Sequence, residues 1–439
     1  LFYAMIGFYL YGRFFLPTYH SPGSRKEFNL MFHCKRLGAL TVALAMTVSL
    51  LAGCGGGDTG SGSSSGSSSQ GDSSTQTVTI DLSQVTDPYL TTSGLAGDTV
   101  VARVGDYDIT AAELLYWINY GTSLYLSQFG GYLTTPVWDT DLGDGITMAD
   151  QMKQSSLEAA AFYTLLPVIG REEGLSPAST IQDDLQQQMD EMLAELGSQE
   201  LVDHVMWYQM LTEDLYLQLN QQADLHMQLQ ELYFGENSDN YPTDAEVLAY
   251  AQDELGVYRA KHILLSTIDQ ETQEPLDEAT IAEKKALADD LLAQLRAADD
   301  PIALFDELMN EYSEDPGLTA YPDGYTTSSG QMVPEFEQAA LALQDGEISD
   351  VVESDYGYHI ILRLPLDPAD YRDQVVAQRM QVLSDGWIEE YGLETTEAYD
   401  ELDIASFWDS MVALQTAVQA ELQETTADQD GGNSSSGNS

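Results

Sequence analysis

Two apolar, strand-like runs that each contain a histidine bracket one stretch of this chain, from Arg259 to Leu364. The first run reads Arg259-Ala-Lys-His262-Ile-Leu-Leu265, and the second reads Tyr356-Gly-Tyr-His359-Ile-Ile-Leu362. The whole chain has six histidines, so two of them fall in strand-like runs of this one segment. Short apolar runs of this kind are typical of buried strands. The segment is therefore predicted to form one compact unit with a histidine in each of two strands.

Two further motifs lie between these runs. Tyr312-Ser-Glu-Asp315 continues into Pro316-Gly317, and Asp-Pro-Gly is a strong turn sequence. Gly330-Gln-Met332-Val-Pro-Glu-Phe336-Glu places a methionine and a phenylalanine four residues apart, at the start of a helix predicted to begin near Pro334. Their side chains can therefore converge on one pocket.

The order and spacing of these motifs resemble the parvulin family of peptidyl-prolyl cis-trans isomerases. The resemblance implies an α+β fold, in which a small antiparallel sheet is surrounded by helices and the two histidines lie on adjacent central strands. It also implies that the histidine pair organises the site, that the acidic residue acts electrostatically or by hydrogen bonding, and that two apolar side chains form the floor of a proline pocket. On this basis the candidate catalytic residues are His262, Asp315, His359 and Ser354, and the candidate substrate-binding residues are Met332, Phe336 and Tyr325.

The chain departs from the family pattern at one loop. Where family members usually show Gly-Gly-Asp-Leu-Gly, this chain has Tyr321-Pro-Asp-Gly-Tyr325-Thr-Thr327. Thr327 and Gly324 are the main departures, and the apolar lip that a leucine provides in the family must come from Tyr325 or be missing. Residues 314–329 contain no basic cluster, so selectivity for phosphorylated Ser/Thr-Pro is not expected. These departures leave open an alternative, a non-catalytic lipoprotein chaperone with a degenerate parvulin scaffold.

The N-terminal part has the features of an export signal. Lys35-Arg36 precedes a short apolar run at 37–50, and Leu51-Ala-Gly-Cys54 resembles the lipobox of bacterial lipoproteins. The resemblance implies that Cys54 is lipidated and anchors the chain to the extracytoplasmic face of the bacterial cell membrane. A transmembrane anchor is the alternative, but the apolar run is short for a span. We interpret 1–53 as a signal peptide with an upstream extension, with the expected start at Met31.

Charge and cysteine content exclude several classes of function. The chain carries 16 basic and 72 acidic residues, a formal net charge of −56. Such a surface repels phosphate backbones, so no nucleic-acid partner is expected. The two cysteines, Cys34 and Cys54, belong to the signal and the lipid site, which leaves no thiol for a disulfide, a metal or a nucleophile. We expect no cofactor and no metal.

The flanking regions read as mainly helical. A hairpin at 99–110 leads into a capping box at Thr110, and helical patterns follow at 147–173, 180–196, 199–218 and 219–234. A second capping box at Thr243 starts a helix to about Leu255, and 370–422 again reads as helical. This order of elements resembles the N-terminal lobe of PrsA- and SurA-type secretion foldases. The segment from Asp139 to Gly145 partly resembles a calcium-binding loop, but the spacing of its acidic residues favours a plain acidic loop.

The predicted organisation is a parvulin-type domain at 256–366 inserted in a helical chaperone lobe. That lobe would comprise 98–255 and the C-terminal helices at 367–424, with a lipidated Gly/Ser-rich linker at 54–97 and a disordered tail at 425–439. The predicted function is that of a membrane-tethered foldase that isomerises X-Pro bonds. Its partners would be unfolded, proline-containing secreted polypeptides, and the membrane through the lipid. An extracytoplasmic solute-binding lipoprotein would require two α/β lobes, and the long helical runs argue against it.

Overall fold

The computed structural model describes residues 78–129, 133 and 135–432, with side chains described to residue 425. The predicted signal peptide, the predicted lipidation site Cys54 and most of the predicted linker lie outside these residues. Within them the chain divides into two compact units. The first unit combines 78–239 with the chain from 377 onward, and the second comprises 240–376.

The first unit contains a small three-stranded sheet in the order β2-β1-β7. β1 (Val100–Val104) and β2 (Tyr107–Thr110) form an antiparallel hairpin. β7 (Leu393–Thr395) pairs with the other edge of β1, so strands from both ends of the described chain share one sheet. The helices of this unit are α1 (Pro88–Ser93), α2 (Ala111–Ser127), α3 (Met148–Glu172), α4 (Ile181–Leu196), α5 (Gln199–Trp207), α6 (Glu213–Phe234), most of α11 (Arg372–Tyr391), α12 (Glu397–Glu401) and α13 (Ile404–Gly432).

Aromatic side chains from both segments form the core of the first unit. Trp117 and Tyr163 are fully buried, with ring centroids 4.6 Å apart. Phe162 stacks on Trp387 from the C-terminal segment, at a centroid distance of 6.3 Å and an interplanar angle of 11°. The predicted core positions Phe407, Trp408, Met411 and Leu414 of α13 are buried, whereas Trp387, Ile388 and Tyr391 are half-buried.

Three predicted element boundaries are wrong. The helix break expected near residue 218 lies instead between Trp207 and Glu213, because Met210 adopts a φ of 54° and Thr212 caps α6 by accepting from the Leu215 N–H. The region predicted as helical at 370–422 is interrupted by β7, since α11 (Arg372–Tyr391) ends at Gly392, whose φ is 82°. Helix α13 continues to Gly432, beyond the point at which a disordered tail was expected.

The second unit is built on an antiparallel sheet in the order β4-β3-β6-β5. Its long strands β3 (Val257–Ser266) and β6 (Gly357–Leu364) are central and paired over eight residue pairs, which confirms the prediction that the two histidine-bearing runs are adjacent central strands. The remaining elements are β4 (Tyr325–Ser328), β5 (Val352–Ser354), α7 (Asp244–Ala249), α8 (Glu278–Ala297), α9 (Pro301–Tyr312) and α10 (Pro334–Ala342).

Helix α7 belongs to the second unit by its contacts. It begins at the predicted capping box of Thr243 and Glu246 and continues into a π-helical turn at Tyr250–Glu254. Val247 packs against Leu366 and Tyr371, which follow β6 in the chain. The unit thus extends on both sides of the segment 256–366.

The two faces of this sheet carry different residues, because successive side chains of a strand point to opposite faces. On one face Ile263, Leu265, Ile360 and Leu362 pack against α8 and α9 in a continuous apolar cluster. The opposite face carries the side chains that alternate with these, including both histidines, and α10 packs on it. No helix in the described part of the chain combines the length and the apolarity that a membrane span requires.

Candidate active site

The strand register places the two histidines next to each other. His262 is opposite Ile361 and His359 is opposite Leu264, so the histidines are diagonal neighbours on one face of the β3–β6 pair. Their rings are nearly parallel, with centroids 5.2 Å apart and an interplanar angle of 14°. The two Nδ1 atoms lie 3.0 Å apart, within hydrogen-bond distance.

A short segment after α9 brings Asp315 to this pair. β4 pairs with β3 only as far as Ala260, and beyond it Ser313 and Glu314 occupy the same edge of β3. The Leu264 N–H donates to Ser313 Oγ at 3.1 Å, and the Glu314 N–H donates to the Leu264 carbonyl at 2.8 Å. The next residue, Asp315, therefore lies beside His262, with 3.0 Å between Asp315 Oδ2 and His262 Nε2.

Both oxygens of Asp315 accept hydrogen bonds. Oδ1 accepts from the Gly317 N–H at 3.0 Å, as expected for an Asp-Pro-Gly turn. Oδ2 accepts from the Tyr325 hydroxyl at 2.6 Å in addition to His262. The turn and the site therefore use the same carboxylate.

Ser354 completes the network at its other end. Its Oγ lies 2.7 Å from His359 Nε2 and also accepts from the Tyr356 N–H at 3.2 Å. The side chains of Ser354, His359, His262, Asp315 and Tyr325 thus form one continuous hydrogen-bonded chain across the sheet face.

Burial and hydrogen bonding shift the pKa values of three groups in this hydrogen-bonded network. Burial, and then the adjacent His262, lower the pKa of His359 to about 3, so this imidazole is neutral at physiological pH. Burial raises the pKa of Asp315, but the hydrogen bonds from His262, Tyr325 and Gly317 outweigh it and hold that pKa at about 2. Burial and the Asp315 carboxylate raise the pKa of the Tyr325 hydroxyl. Because a neutral imidazole has one N–H, His359 donates on one side and accepts on the other.

An apolar wall lines the histidine pair. Phe336 is 3% exposed, and its ring lies 5.1 Å from that of His262 at 83° and 5.7 Å from that of His359 at 71°. It belongs to a cluster with Tyr258, Ala260, Ala340 and Ile361, against which the half-buried Met332 and Val352 pack. The site therefore combines a hydrogen-bonded polar network that includes the Asp315 carboxylate with an apolar surface in direct contact with it.

All the candidate site residues predicted within the described chain lie in one region of the second unit. Tyr325, expected as an apolar lip, contributes its hydroxyl to Asp315, while its ring faces His262 at 5.9 Å. Thr327 pairs with Tyr258 across β3 and β4. Gly324 has a φ of 90°, and a Cβ there would lie 2.8 Å from the Ala260 carbonyl oxygen, so this departure from the family loop meets a local steric need.

Some residues that shape the site were missed from the sequence. Ser313 and Glu314 fix the approach of Asp315, and Gly317 leaves room for the Tyr325 hydroxyl, since a Cβ at Gly317 would lie 1.9 Å from that oxygen. The Asp-Pro-Gly sequence signalled the turn but not the residues packed against it. Within the described ranges no group of three or more His, Cys, Asp or Glu side chains is arranged to hold a metal ion.

The fold and the site identify a parvulin-type isomerase domain in this protein. In agreement with this, residues 262–364 match the family model described as "Rotamase: PPIC-type PPIASE domain". The chain is also similar to "Foldase protein PrsA" of Halalkalibacterium halodurans, with 41% identity over 124 residues, 27% of this chain and 31% of that protein. It is 28% identical over 221 residues to "Foldase protein PrsA" of Staphylococcus aureus, covering 49% of this chain and 63% of that one.

Among solved structures, PrsA from Bacillus subtilis matches with 20% identity and a TM-score of 0.21, covering 58% of this chain and 90% of that one. The matched regions span about a third of the length of the first bacterial relative and less than two thirds of the second.

Proposed function

We propose that this protein is a foldase that catalyses cis–trans isomerisation of X-Pro peptide bonds in secreted polypeptides. The observation that carries the proposal is the continuous hydrogen-bonded chain from Ser354 to Tyr325 in contact with the Phe336 ring. The match of residues 262–364 to the PPIC-type domain and the similarity to proteins named foldases support it.

The reaction requires a modest stabilisation of the transition state. Rotation about an amide bond has a barrier of about 18–20 kcal/mol, because the transition state loses conjugation. A thousandfold acceleration requires only about 4 kcal/mol. Binding of a twisted prolyl ring against an apolar wall, with fixed dipoles near the amide, can supply that without covalent chemistry.

In this proposal Phe336 and Met332 hold the prolyl ring. Asp315 is a poor candidate for a nucleophile, since His262, Tyr325 and Gly317 already donate to its two oxygens. We propose instead that Asp315 orients His262 and Tyr325, which donate to it, and supplies a negative charge at a fixed position. The histidine pair keeps the network in one geometry, because each ring is held on both sides by a hydrogen-bond partner. Ser354 holds the outer nitrogen of His359.

We further infer that the protein acts outside the cytoplasm while tethered to a bacterial membrane. Support comes from the lipobox-like Leu51-Ala-Gly-Cys54 and the Gly/Ser-rich stretch that follows it. We assign the helical unit, including 98–239 and the C-terminal helices, to holding unfolded secreted chains. The pairing of β1 with β7 supports the interpretation that both ends of this unit form one lobe.

The test is an isomerisation assay on the full chain with an Ala-Pro tetrapeptide. We expect acceleration by the wild type, and a decrease in kcat/KM of roughly tenfold to a hundredfold for His262→Ala, because the network loses its central member. His204→Ala is the matched control, since His204 is also buried and bonded to a carboxylate, Glu421, but lies in the first unit.

Two results would reject the enzyme proposal: no acceleration by the wild type, or equal rates for wild type and His262→Ala. If the protein instead suppresses aggregation of an unfolded client without any isomerase signal, the non-catalytic chaperone is the better interpretation.

A further inference from the structure

An exposed tyrosine extends the active site toward solvent. Tyr321 is 44% exposed, and its ring lies 4.9 Å from that of Tyr325. Tyr325 in turn faces His262 at 5.9 Å, and His262 faces Phe336 at 5.1 Å. A line of ring contacts thus runs from the buried apolar wall to an exposed aromatic surface.

The backbone holds Tyr321 in place. Its N–H donates to the Gly317 carbonyl at 2.9 Å, and its carbonyl accepts from the Gly324 N–H at 3.0 Å. The second bond closes a tight turn with Pro322 at its second position, where proline restricts the backbone. The backbone of Tyr321 is therefore held by the turn, and its ring packs on that of Tyr325.

The surroundings of this ring are acidic. The Tyr325 hydroxyl bonds to the Asp315 carboxylate, and Asp323 lies within the same turn as Tyr321. The loop after β3 is held beside Asp315 by Gln270, whose Nε2 donates to the Glu314 carbonyl at 2.6 Å. That loop carries the exposed Asp269, Glu271 and Glu274.

Basic side chains offset only part of this charge. Residues 240–376, all of them described, contain 30 acidic and 7 basic side chains. Two bases reach this side of the site: Lys284 is paired with Glu314, whereas Arg259 donates to the backbone carbonyl of Asp323 and keeps its positive charge. The other five bases are each paired with a carboxylate: Lys261, Lys285, Arg296, Arg363 and Arg372.

We propose that Tyr321 is a specificity-determining residue, and that its ring and the neighbouring carboxylates bind a lysine or arginine side chain close to the target proline. The inference rests on the proposed isomerase function and names the substrate class of that site, proline segments flanked by basic residues. A cation over the face of an aromatic ring is attracted by the ring quadrupole, and nearby carboxylates add to this attraction.

The geometry limits how far the basic residue can lie from the proline. An extended chain rises by about 3.3 Å per residue, so the three ring contacts between Phe336 and Tyr321 correspond to at most about five residues. The basic side chain should therefore lie within about five residues of the proline.

The test compares proline peptides that differ at a single flanking position. Isomerisation by the full chain is measured by exchange NMR on peptides that carry lysine, its neutral isostere norleucine, glutamate or phenylalanine at that position, scanned along the peptide. At the best position we expect kcat/KM for lysine to exceed that for norleucine about fivefold at low salt. The ratio should fall toward one as salt is added.

Substitutions of Tyr321 test whether its ring causes the preference for lysine. Tyr321→Leu should lower the lysine-to-norleucine ratio by a factor of about two to five, and Tyr321→Phe should retain it, because the π face is preserved. Tyr356→Leu is the matched control, since Tyr356 is 48% exposed and lies at the Ser354 end of the network. Its ratio should equal that of the wild type.

Each other outcome decides against the inference. Equal rates for all the peptides would overturn it while the isomerase function stands. A salt-independent preference for phenylalanine would also overturn it, because the ring would then recognise apolar side chains. Absence of acceleration for every peptide would reject the proposed function and this inference together.

Discussion

The two faces of the sheet in residues 240–376 are made by the same strands but differ in chemistry. His262 and His359 lie on one face, while their chain neighbours Ile263 and Ile360 lie on the other, at 0% and 1% exposure. The apolar face packs on α8 and α9 through a continuous cluster of apolar side chains, beside which Lys261 is paired with Asp306 of α9. The other face carries five polar side chains in sequence, from Ser354 to Tyr325.

This difference indicates that one face of the sheet mainly stabilises the unit while the other face carries the candidate active site. The period of two residues in a strand lets one face bury apolar surface while the other holds groups that are costly to desolvate. Stability then comes mainly from the face that has no part in the site. Substitutions on the two faces should therefore separate stability from activity.

The largest expected effect comes from truncating one phenylalanine on each face. Phe305→Ala, on the apolar face, should cost about 3–5 kcal/mol of unfolding free energy, because Phe305 is fully buried. Its folded fraction should retain isomerase activity. Phe336→Ala should also destabilise the unit, but its folded fraction should be nearly inactive, since Phe336 contacts both histidine rings.

Hydrogen exchange of the β3 and β6 amides measures this stability directly. All five tryptophans lie outside residues 240–376, so their fluorescence reports the first unit and serves as an internal control. A Phe336→Ala variant with wild-type activity per folded molecule would contradict the division between the faces.

The second prediction concerns pH. The pKa of His359 is about 3 in the folded state against an ordinary value of 6.5 in the unfolded chain, so between these values the unfolded state binds the extra proton. Stability of the second unit should therefore fall as pH decreases below 6.5, by up to about 1.4 kcal/mol per pH unit. Asp315, with a pKa lowered from 3.8 to about 2, adds to the loss below about pH 4.

The variant His359→Gln should flatten the slope between pH 6.5 and 4. His226 is the comparison in the helical unit, where burial lowers its pKa to about 4. His226→Gln should change the acid response of tryptophan fluorescence and leave exchange of β3 and β6 unaffected. If His359→Gln keeps the full slope at those amides, His359 is not the titrating group.

The features of these two faces differ in how well the sequence predicts them. Apolar runs predicted the central strands, and the motif around Phe336 predicted a helix that begins at Pro334, because these signals are local. The approach of Asp315 to His262 joins residues 53 positions apart and depends on Ser313 and Glu314 at a strand edge. No local pattern encodes which segment occupies that edge.

Other features were missed because the residues carry little signal. β7 has only three residues, Leu393–Thr395, and is stable as a strand through its pairing with β1, which lies far away in the chain. Met210 adopts a positive φ without being glycine, so propensity gave no sign of the break before α6. The assignment of Tyr325 as an apolar lip overlooked its hydroxyl, which the Asp315 turn attracts.

The smallest expected effect concerns the hydrogen bond from the Tyr325 hydroxyl to Asp315 on the polar face of the sheet. Gly317→Ala would place a Cβ 1.9 Å from the Tyr325 hydroxyl oxygen, so that hydroxyl must leave Asp315. The loss of one hydrogen bond to a carboxylate should destabilise the unit by about 1.5–3 kcal/mol at neutral pH. It should also raise the pKa of Asp315 from about 2, because that hydrogen bond favours the charged carboxylate.

Carboxyl carbon NMR measures the pKa of Asp315 directly. Tyr325→Phe is the matched control, since it removes the same hydrogen bond without crowding the turn, and it should raise that pKa by a similar amount. Isomerase activity should fall less than in His262→Ala, because the histidine pair keeps its contact with Asp315. An Asp315 pKa that stays at its wild-type value in both variants would show that the tyrosine hydroxyl does not stabilise the carboxylate, and that His262 and the Gly317 N–H alone lower its pKa.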